Sequence, residues 1–281
     1  MNPKIYITPK NSSIMKKARK KSLFLYVPIL GGIINRINKE IAQKGLNYAL
    51  KNAINQSQSK IQLIGVTEEI ITILTKNPAI VISNHLYFPD LIIIGSVFPE
   101  RKSIFAVANS FFLGLGMNID RHILPIYMYH YWTKTNNLFI KWLMKTVYFI
   151  SRQKPHSYNI NHVLNRKTID KATRLISNNA LILFFPEDRK HHCWFKGIGH
   201  LIKKSNALVN KKTVYIVFVK LEGVSKWDLL RILPIVGKWL PKITVTIIHF
   251  SPLSNLKKYK KANTITQLLE KQYNHFFLKT Q

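Results

Sequence analysis

Apolar and polar positions change their spacing along this chain, and from about residue 60 onward two spacings alternate. Short β-branched apolar runs predict buried strands, whereas apolar residues three or four apart predict amphipathic helices. The predicted strands cover residues 61–64, 79–82, 104–108, 147–150, 181–185, 214–219 and 243–250. Helices are predicted over 169–176 and, near the C-terminus, through Ile265, Leu268, Leu269, Gln272, Phe276 and Phe277. This alternation is typical of α/β domains, so we expect a mixed, mostly parallel sheet flanked by helices, with an aromatic, irregular insertion at 116–140.

The first 58 residues follow a different pattern, in which basic residues precede an apolar stretch. The basic cluster covers residues 16–21 (KKARKK), and the apolar stretch covers residues 23–34 and includes Pro28 and two glycines. A membrane-spanning helix needs about 20 apolar residues, so this stretch is too short to cross a bilayer comfortably. We therefore expect residues 1–58 to form a basic and apolar helical segment that associates with a membrane surface, and residues 59–281 to form the α/β domain. A helix hairpin packed on that domain is the alternative.

The charge balance is strongly basic, with 43 Lys and Arg residues against 12 Asp and Glu and a formal net charge of +31. Such a balance predicts a polyanionic partner, either nucleic acid or an anionic membrane surface. No recognisable nucleic-acid-binding module accompanies the charge, so we expect a membrane surface, no nucleic acid and no obligate protein partner. Cys193 is the only cysteine, and with His191 and His192 it supplies too few ligands for a zinc site, so no metal is expected.

A candidate catalytic pair follows the predicted strand 79–82, in residues 84–90 (NHLYFPD). His85 comes at the carboxyl end of that strand, where open α/β sheets bind their ligands. Pro89 suits the first turn of a helix, so Asp90 stands at a helix start from which the loop can turn it toward the imidazole. A carboxylate there fixes the tautomer of the ring and stabilises the imidazolium that forms when it takes a proton. The pair predicts a base that activates a hydroxyl.

A second apolar run, at 181–185, is followed by Pro186 and the carboxylate of Glu187. Together with residues 84–90 it indicates a family. Residues 84–90 and 185–187 resemble the first motif (Asn-His, four residues, Asp) and the start of the third motif (Phe-Pro-Glu-Gly-Thr-Arg) of glycerolipid acyltransferases of the lysophosphatidate acyltransferase type. That family usually continues with Phe-Lys and a glycine, which this sequence supplies as Phe195, Lys196 and Gly197. The resemblance covers about residues 60–255.

The sequence departs from the family after Glu187, where Asp188, Arg189 and Lys190 replace Gly-Thr-Arg. Counted along the chain, Lys190 has the position of the arginine, whereas Arg189 has its residue type. Either cation can bind a phosphate, although lysine lacks the bidentate fork of arginine. Asp188 brings a negative charge toward the place of that phosphate and so favours an acceptor without one.

The middle motif of the family ends in an Asp-Arg pair, for which two segments compete. Residues 149–152 (FISR) end a predicted strand but have a serine in place of the aspartate. Residues 118–121 (NIDR) have the pair but no predicted strand before it. We favour Arg152 as the phosphate-binding arginine, with Arg121 as the alternative.

The resemblance implies an acyltransferase of the 1-acylglycerol-3-phosphate O-acyltransferase type. The acyl group would pass from a thioester, either acyl-CoA or acyl carrier protein, to a hydroxyl of a lysophospholipid or glycerol-phosphate-type lipid, without a cofactor. His85 would be the general base and Asp90 would orient it. The implied substrate-binding residues are Asn84, Arg152, Glu187, Arg189, Lys190, Phe195, Lys196 and Gly197. The enzyme would lie peripherally or monotopically on a membrane, at its cytoplasmic face. The alternatives are the same fold with a non-phosphate lipid acceptor, or an inactive basic protein that binds lipid or nucleic acid.

Overall fold

Seven strands form one mixed sheet in the computed structural model, which describes residues 28–85, 89–127, 138, 160–188, 193–208 and 213–279. In chain order the described strands are β1 (Ile61–Ile64), β2 (Ala79–Ser83), β3 (Ile104–Asn109), β4 (Ile123–Ile126), β5 (Leu181–Phe184), β6 (Glu187–Asp188), β7 (Cys193–Trp194), β8 (Tyr215–Glu222) and β9 (Ile243–Pro252). Strands β6 and β7 make a separate two-stranded hairpin. The sheet itself has the order β1-β9-β8-β2-β5-β3-β4, which places β2 at its centre.

Five neighbouring strands of the sheet run parallel, from β8 through β2, β5 and β3 to β4. Strand β9 is antiparallel to β8, and β1 is parallel to β9. Strands β2, β5 and β8 therefore finish at the same end of the sheet, which we call the carboxyl end, at Ser83, Phe184 and Glu222. Strand β9 begins there, because Glu222 pairs with Thr244. Open α/β sheets bind ligands at such an end.

Helices cover both faces of the sheet. They are α1 (Pro28–Lys44), α2 (Leu46–Gln56), α3 (Glu68–Lys76), α4 (Asp90–Val97), α5 (Met117–His122), α6 (His162–Ser177), α7 (Gly197–Leu208) and α8 (Ala262–Lys279). One apolar core joins α1 to α4 to one face, through side chains such as Ile37, Leu50 and Val81. A second core joins α6, α7 and α8 to the opposite face. Strand β2 is buried along its whole length, because both faces are covered.

The sequence predicted the α/β class and a mixed, mostly parallel sheet, and both are confirmed. Six of the seven predicted strands occur in the sheet with small shifts of their ends; the seventh, 147–150, lies outside the described residues. The prediction missed β4, which lies within the segment expected to be irregular. Pro125 interrupts its apolar pattern, and β4 tolerates a proline because it is an outermost strand among the described residues.

The N-terminal helices pack on the same core as the sheet. Ile33, Ile37 and Ile41 of α1 and Leu50 of α2 are buried there. Asn38 links α1 to α5, because its Oδ1 accepts a hydrogen bond from the main-chain N–H of Asn118 at 2.9 Å. The basic cluster at 16–21 lies outside the described residues. Within the described ranges, every helix is too short or too polar to cross a bilayer.

The contact between α7 and α8 gives a stability prediction at Gly199. A Cβ added there would lie 2.0 Å from the main-chain oxygen of Ala262, whereas one added at Gly32 in α1 would meet no described atom within 4 Å. We expect Gly199→Ala to lower the free energy of unfolding by about 2 kcal/mol or more, because the helices must separate. Gly32→Ala should raise it by up to about 1 kcal/mol, because alanine favours the helix. Urea unfolding followed by circular dichroism measures both values, and equal effects would contradict the close helix contact.

Candidate active site

His85 and Asp90 meet at the carboxyl end of β2. The chain leaves the sheet after Ser83, and His85 follows two residues later. Asp90 is the first residue of α4, behind Pro89 with φ −73°, and is fully buried. Its Oδ2 lies 2.9 Å from Nδ1 of His85, so the carboxylate reaches the ring as the spacing predicts. The His85 side chain is 36 % exposed, and the pair therefore combines a buried anion with an imidazole that solvent or substrate can reach.

Asn84 is held by the neighbouring strand. Its Nδ2 donates to the carbonyl oxygen of Leu221 at 2.9 Å, and its Oδ1 accepts from the Leu221 N–H at 2.8 Å. Its main-chain N–H donates to the hydroxyl of Tyr273 at 3.1 Å. These bonds give Asn84 a positioning role just before His85. Its predicted contact with substrate stays a prediction.

Glu187 approaches His85 from the next strand. It begins β6 directly after Pro186, and its Oε2 accepts a hydrogen bond from the main-chain N–H of His85 at 3.3 Å. The ring of Phe185 lies 5.6 Å from that of His85, centroid to centroid. The histidine is therefore flanked by the end of β5 as well as by α4. The sequence placed Glu187 at a strand end, and the parallel pairing of β2 with β5 brings it to His85.

The predicted residues after Glu187 return to the end of β5. The main-chain N–H of Phe195 donates to the carbonyl of Pro186 at 2.8 Å. Gly197 starts α7, and a Cβ there would lie 3.4 Å from Cζ of Phe184, so the helix begins close against β5. Lys196 is exposed. Burial lowers the pKa of His200, and the positive charges of Lys204, Lys203, Lys196 and Arg166 lower it further, so Lys196 belongs to a cationic surface at the start of α7.

Tyr273 completes the site from the C-terminal helix, and the sequence analysis had placed no functional role there. Its hydroxyl donates to the carbonyl of Val219 at 2.8 Å and accepts from the N–H of Asn84. Burial raises the pKa of this phenol strongly, and the negative charges of Glu187 and Glu222 raise it further. The hydroxyl therefore stays protonated and ties α8 to the ends of β2 and β8. Its position on the apolar face of a helix made it look like an ordinary core residue.

A buried lysine is the second residue that the sequence analysis missed. Lys220 is 2 % exposed in β8, and its Nζ lies 2.8 Å from Oε1 of Glu222. A buried ammonium needs such a partner, because leaving water is costly for an isolated charge. The available signal was a lysine within the apolar run of β8, where alternation predicts an inward-facing position.

Glu270 extends the acidic neighbourhood along α8. Burial raises the pKa of its carboxyl, a hydrogen bond from the main chain of Trp194 opposes that rise, and the charge of Glu187 adds to it. It also lines an open cavity of about 490 Å³ whose lining residues are Gln267, Glu270, Lys271, Asn274 and His275.

Three predicted substrate-binding residues, Arg152, Arg189 and Lys190, lie outside the described residues. The alternative segment 118–121 belongs to α5, directly before β4. There the Asp120 carboxylate accepts from the N–H of Gly114 at 3.0 Å, while Arg121 is exposed. Across the described part of the chain, no group of three or more His, Cys, Asp or Glu residues is arranged to hold a metal ion.

The Tyr273 hydroxyl gives a prediction about how the site is held. We expect Tyr273→Phe to lower the free energy of unfolding by about 2 kcal/mol, because the Val219 carbonyl and the Asn84 N–H lose a buried partner. Tyr48→Phe is the matched control, since the Tyr48 hydroxyl accepts a bond from Lys44 at the surface. That control should change the value by less than about 0.5 kcal/mol. Denaturant titration measures both variants, and a Tyr273→Phe protein as stable as the control would show that the bonds contribute nothing.

Comparisons with family models, curated proteins and solved structures gave no match. The resemblance to glycerolipid acyltransferases therefore rests on the motifs of this sequence alone.

Proposed function

We propose that this protein is an acyltransferase that moves a fatty acyl group from a thioester to a hydroxyl of a lysophospholipid or glycerol-phosphate-type lipid. The observation that carries the proposal is the contact of 2.9 Å between His85 Nδ1 and Asp90 Oδ2 at the carboxyl end of the sheet. Glu187, from the second motif, lies against the main chain of the same histidine. Two motifs that are about 100 residues apart in sequence thus share one site.

The proposed reaction uses His85 as a general base. Because Asp90 occupies Nδ1, the ring would act through Nε2 and remove the proton of the acceptor hydroxyl while its oxygen attacks the thioester carbonyl. The buried Asp90 carboxylate stabilises the imidazolium that results. The tetrahedral intermediate then collapses, the carbon–sulfur bond breaks, and the imidazolium proton passes to the departing thiolate. The hydroxyl can attack directly because a thiolate is already a good leaving group.

Acidic and basic side chains both occur close to the end of β5. Glu187 and Glu270 are acidic and lie on the α8 side, where burial and then the charge of Glu187 raise the pKa of Glu270. Lys196 is exposed at the start of α7 among other cations. A phosphate on the acceptor headgroup would need such cations, and the sequence offers Arg189 and Lys190 directly after β6. The donor, either acyl-CoA or acyl carrier protein, brings phosphate groups of its own.

Membrane association belongs to the same proposal. A lysolipid acceptor resides in a bilayer, and the net charge of +31 suits an anionic surface. Residues 1–58 would supply the attachment through the basic cluster at 16–21, with the protein lying peripherally or monotopically at the cytoplasmic face.

Removal of the proposed base is the first test. Purified protein is incubated with vesicles that contain lysophosphatidate, together with acyl-CoA or acyl carrier protein, and thiol release is followed. We expect His85→Ala to reduce the rate by about 100-fold or more, and Asp90→Asn to reduce it as well, because proton removal loses its base or its orienting group.

His162→Ala is the matched control for that test, since His162 is exposed at the start of α6. It should release thiol like the wild type. Thiol release at the same rate from wild type and His85→Ala would refute the catalytic role of the histidine.

The acceptor is tested through Asp188. If a phosphate binds beside β6, Asp188→Asn removes a nearby negative charge and should raise kcat/KM for lysophosphatidate by about threefold to tenfold. The value for monoacylglycerol, which has no phosphate, should not change. Equal responses of the two acceptors would favour the non-phosphate alternative, and so would a wild-type preference for monoacylglycerol.

A further inference from the structure

The connection between β8 and β9, residues 223–242, stands at the carboxyl end of the sheet. Strand β8 finishes at Glu222 and β9 starts at Ile243, next to the Leu221 main chain that holds Asn84. Two short 3₁₀ helices form most of it, Lys226–Ile232 and Val236–Trp239. The β8–β9 connection therefore projects from the same end of the molecule as His85.

This connection exposes large apolar side chains. Trp239 is 74 % exposed, Trp227 60 % and Ile235 49 %, and Leu230 is exposed as well. Scattered surface hydrophobic residues are ordinary, but four within the 13 residues 227–239 form a local concentration. Such a concentration on a soluble surface marks a contact with a protein or a membrane.

The connection is also firmly built, so its outward apolar side chains are not the result of a loose loop. Asp228 and Arg231 form a fully buried ion pair, and Arg231 also donates to the carbonyl of Pro241. The Asp228–Arg231 ion pair fixes the first half of the connection, and the hydrogen bond from Arg231 to Pro241 joins that half to the C-terminal end of the connection. Ser225 and Asp228 close a capping box at the start of the first 3₁₀ helix.

Its middle is fixed to the rest of the protein. Ile235 has a left-handed φ of 69°, a rare conformation for a β-branched residue, and its N–H donates to the carbonyl of Gln56 at the end of α2. A Cβ at Gly237 would lie 2.1 Å from Oγ of Ser59, which shows how closely the second 3₁₀ helix packs. The strain at Ile235 is sustained by these contacts while its side chain faces solvent.

The charges of the connection indicate what covers it. Asp228 is the only acidic residue between 223 and 242, and Arg231 neutralises it inside the structure. Lys238 and Lys242 are exposed beside the tryptophans. Tryptophan prefers the boundary between headgroups and acyl chains, and each lysine near an anionic surface contributes about 1 kcal/mol. The combination therefore suits an anionic bilayer better than a second protein surface.

We propose that the β8–β9 connection is a membrane-docking surface, which inserts Trp227 and Trp239 into the headgroup region of an anionic bilayer and turns the carboxyl end of the sheet toward it. The use of this orientation rests on the proposed function, because it presents His85 to lipid acceptors. The binding itself does not, since it requires no catalysis.

The test is vesicle flotation of the full chain, titrated against lipid to give a partition coefficient. The vesicles contain phosphatidylcholine with or without phosphatidylglycerol. We expect Trp227→Ser/Trp239→Ser to lower the partition coefficient on anionic vesicles by about tenfold or more, because two aromatic groups that the bilayer would bury are lost. Trp227→Tyr/Trp239→Tyr should restore most of it. The free energies of separate membrane contacts add. Attachment through residues 1–58 therefore contributes equally to wild type and variant, and the ratio of their partition coefficients still reports the two tryptophans.

The matched control is Val66→Ser/Ile71→Ser. Both residues are exposed and apolar, but they lie between β1 and β2, outside the β8–β9 connection. This control should float like the wild type. Lys238→Gln/Lys242→Gln should lower binding to anionic vesicles by about tenfold and leave binding to neutral vesicles unchanged.

Two results would overturn the docking surface. One is a double serine variant that partitions like the wild type. The other combines two observations: the wild type self-associates in gel filtration, and the double serine variant is monomeric yet floats normally. That result would make the surface a contact between copies of the chain.

Thiol release separates this proposal from the enzymatic one. If the wild type releases no thiol from any acceptor, the proposed function is wrong, while the flotation result still decides the docking surface.

Discussion

The side-chain amide of Asn84 ends the central strand of the sheet and keeps its neighbour paired. It donates to the carbonyl of Leu221 and accepts from the N–H of the same residue, so it takes the place that a peptide group of β2 would have had. Because buried main-chain groups need partners, this substitution lets β2 stop while β8 continues for three residues past Val219, the partner of Ser83. The chain can then leave the sheet at His85. The contacts of its N–H with Glu187 and of its ring with Asp90 both depend on that exit.

A basic protein concentrates acidic groups at this point. Four of its 12 acidic residues, Asp90, Glu187, Glu222 and Glu270, lie around the carboxyl end of the sheet. Their field would stabilise the imidazolium that forms transiently in the proposed reaction. The same field repels a phosphate. An anionic acceptor would therefore be attracted by the surface as a whole but would need a cation of its own beside β6, which the sequence offers in Arg189 and Lys190.

The sequence predicted those parts of the structure that local spacing controls. The buried strand before His85 and the helix that starts at Asp90 both follow from apolar runs and from a proline at the helix start. The family resemblance linked His85 to Glu187, and the parallel pairing of β2 with β5 accounts for their contact. What could not be predicted depends on tertiary contacts. Tyr273 reaches Asn84 from 189 positions away, and the exposure of Trp227 depends on a buried ion pair that the pattern does not reveal. Strand β4 was missed because it contains a proline, which a strand accepts at the edge of a sheet, and β4 is at the edge of the described sheet.

The filling of the two cores limits how a lipid can reach His85. Side chains from helices and sheet close both faces of β2, which is fully buried from Ala79 to Ser83. The cavity of about 490 Å³ along α8 is open to solvent and is lined by side chains of that helix. Under the proposed function, an acyl chain would approach from outside the described layers, at the carboxyl end, where His85 keeps 36 % of its side chain accessible. A chain held partly in a bilayer meets this condition without a deep protein pocket. That geometry requires the bilayer to face the carboxyl end of the sheet, and the tryptophans and lysines of the β8–β9 connection stand on that side of the molecule.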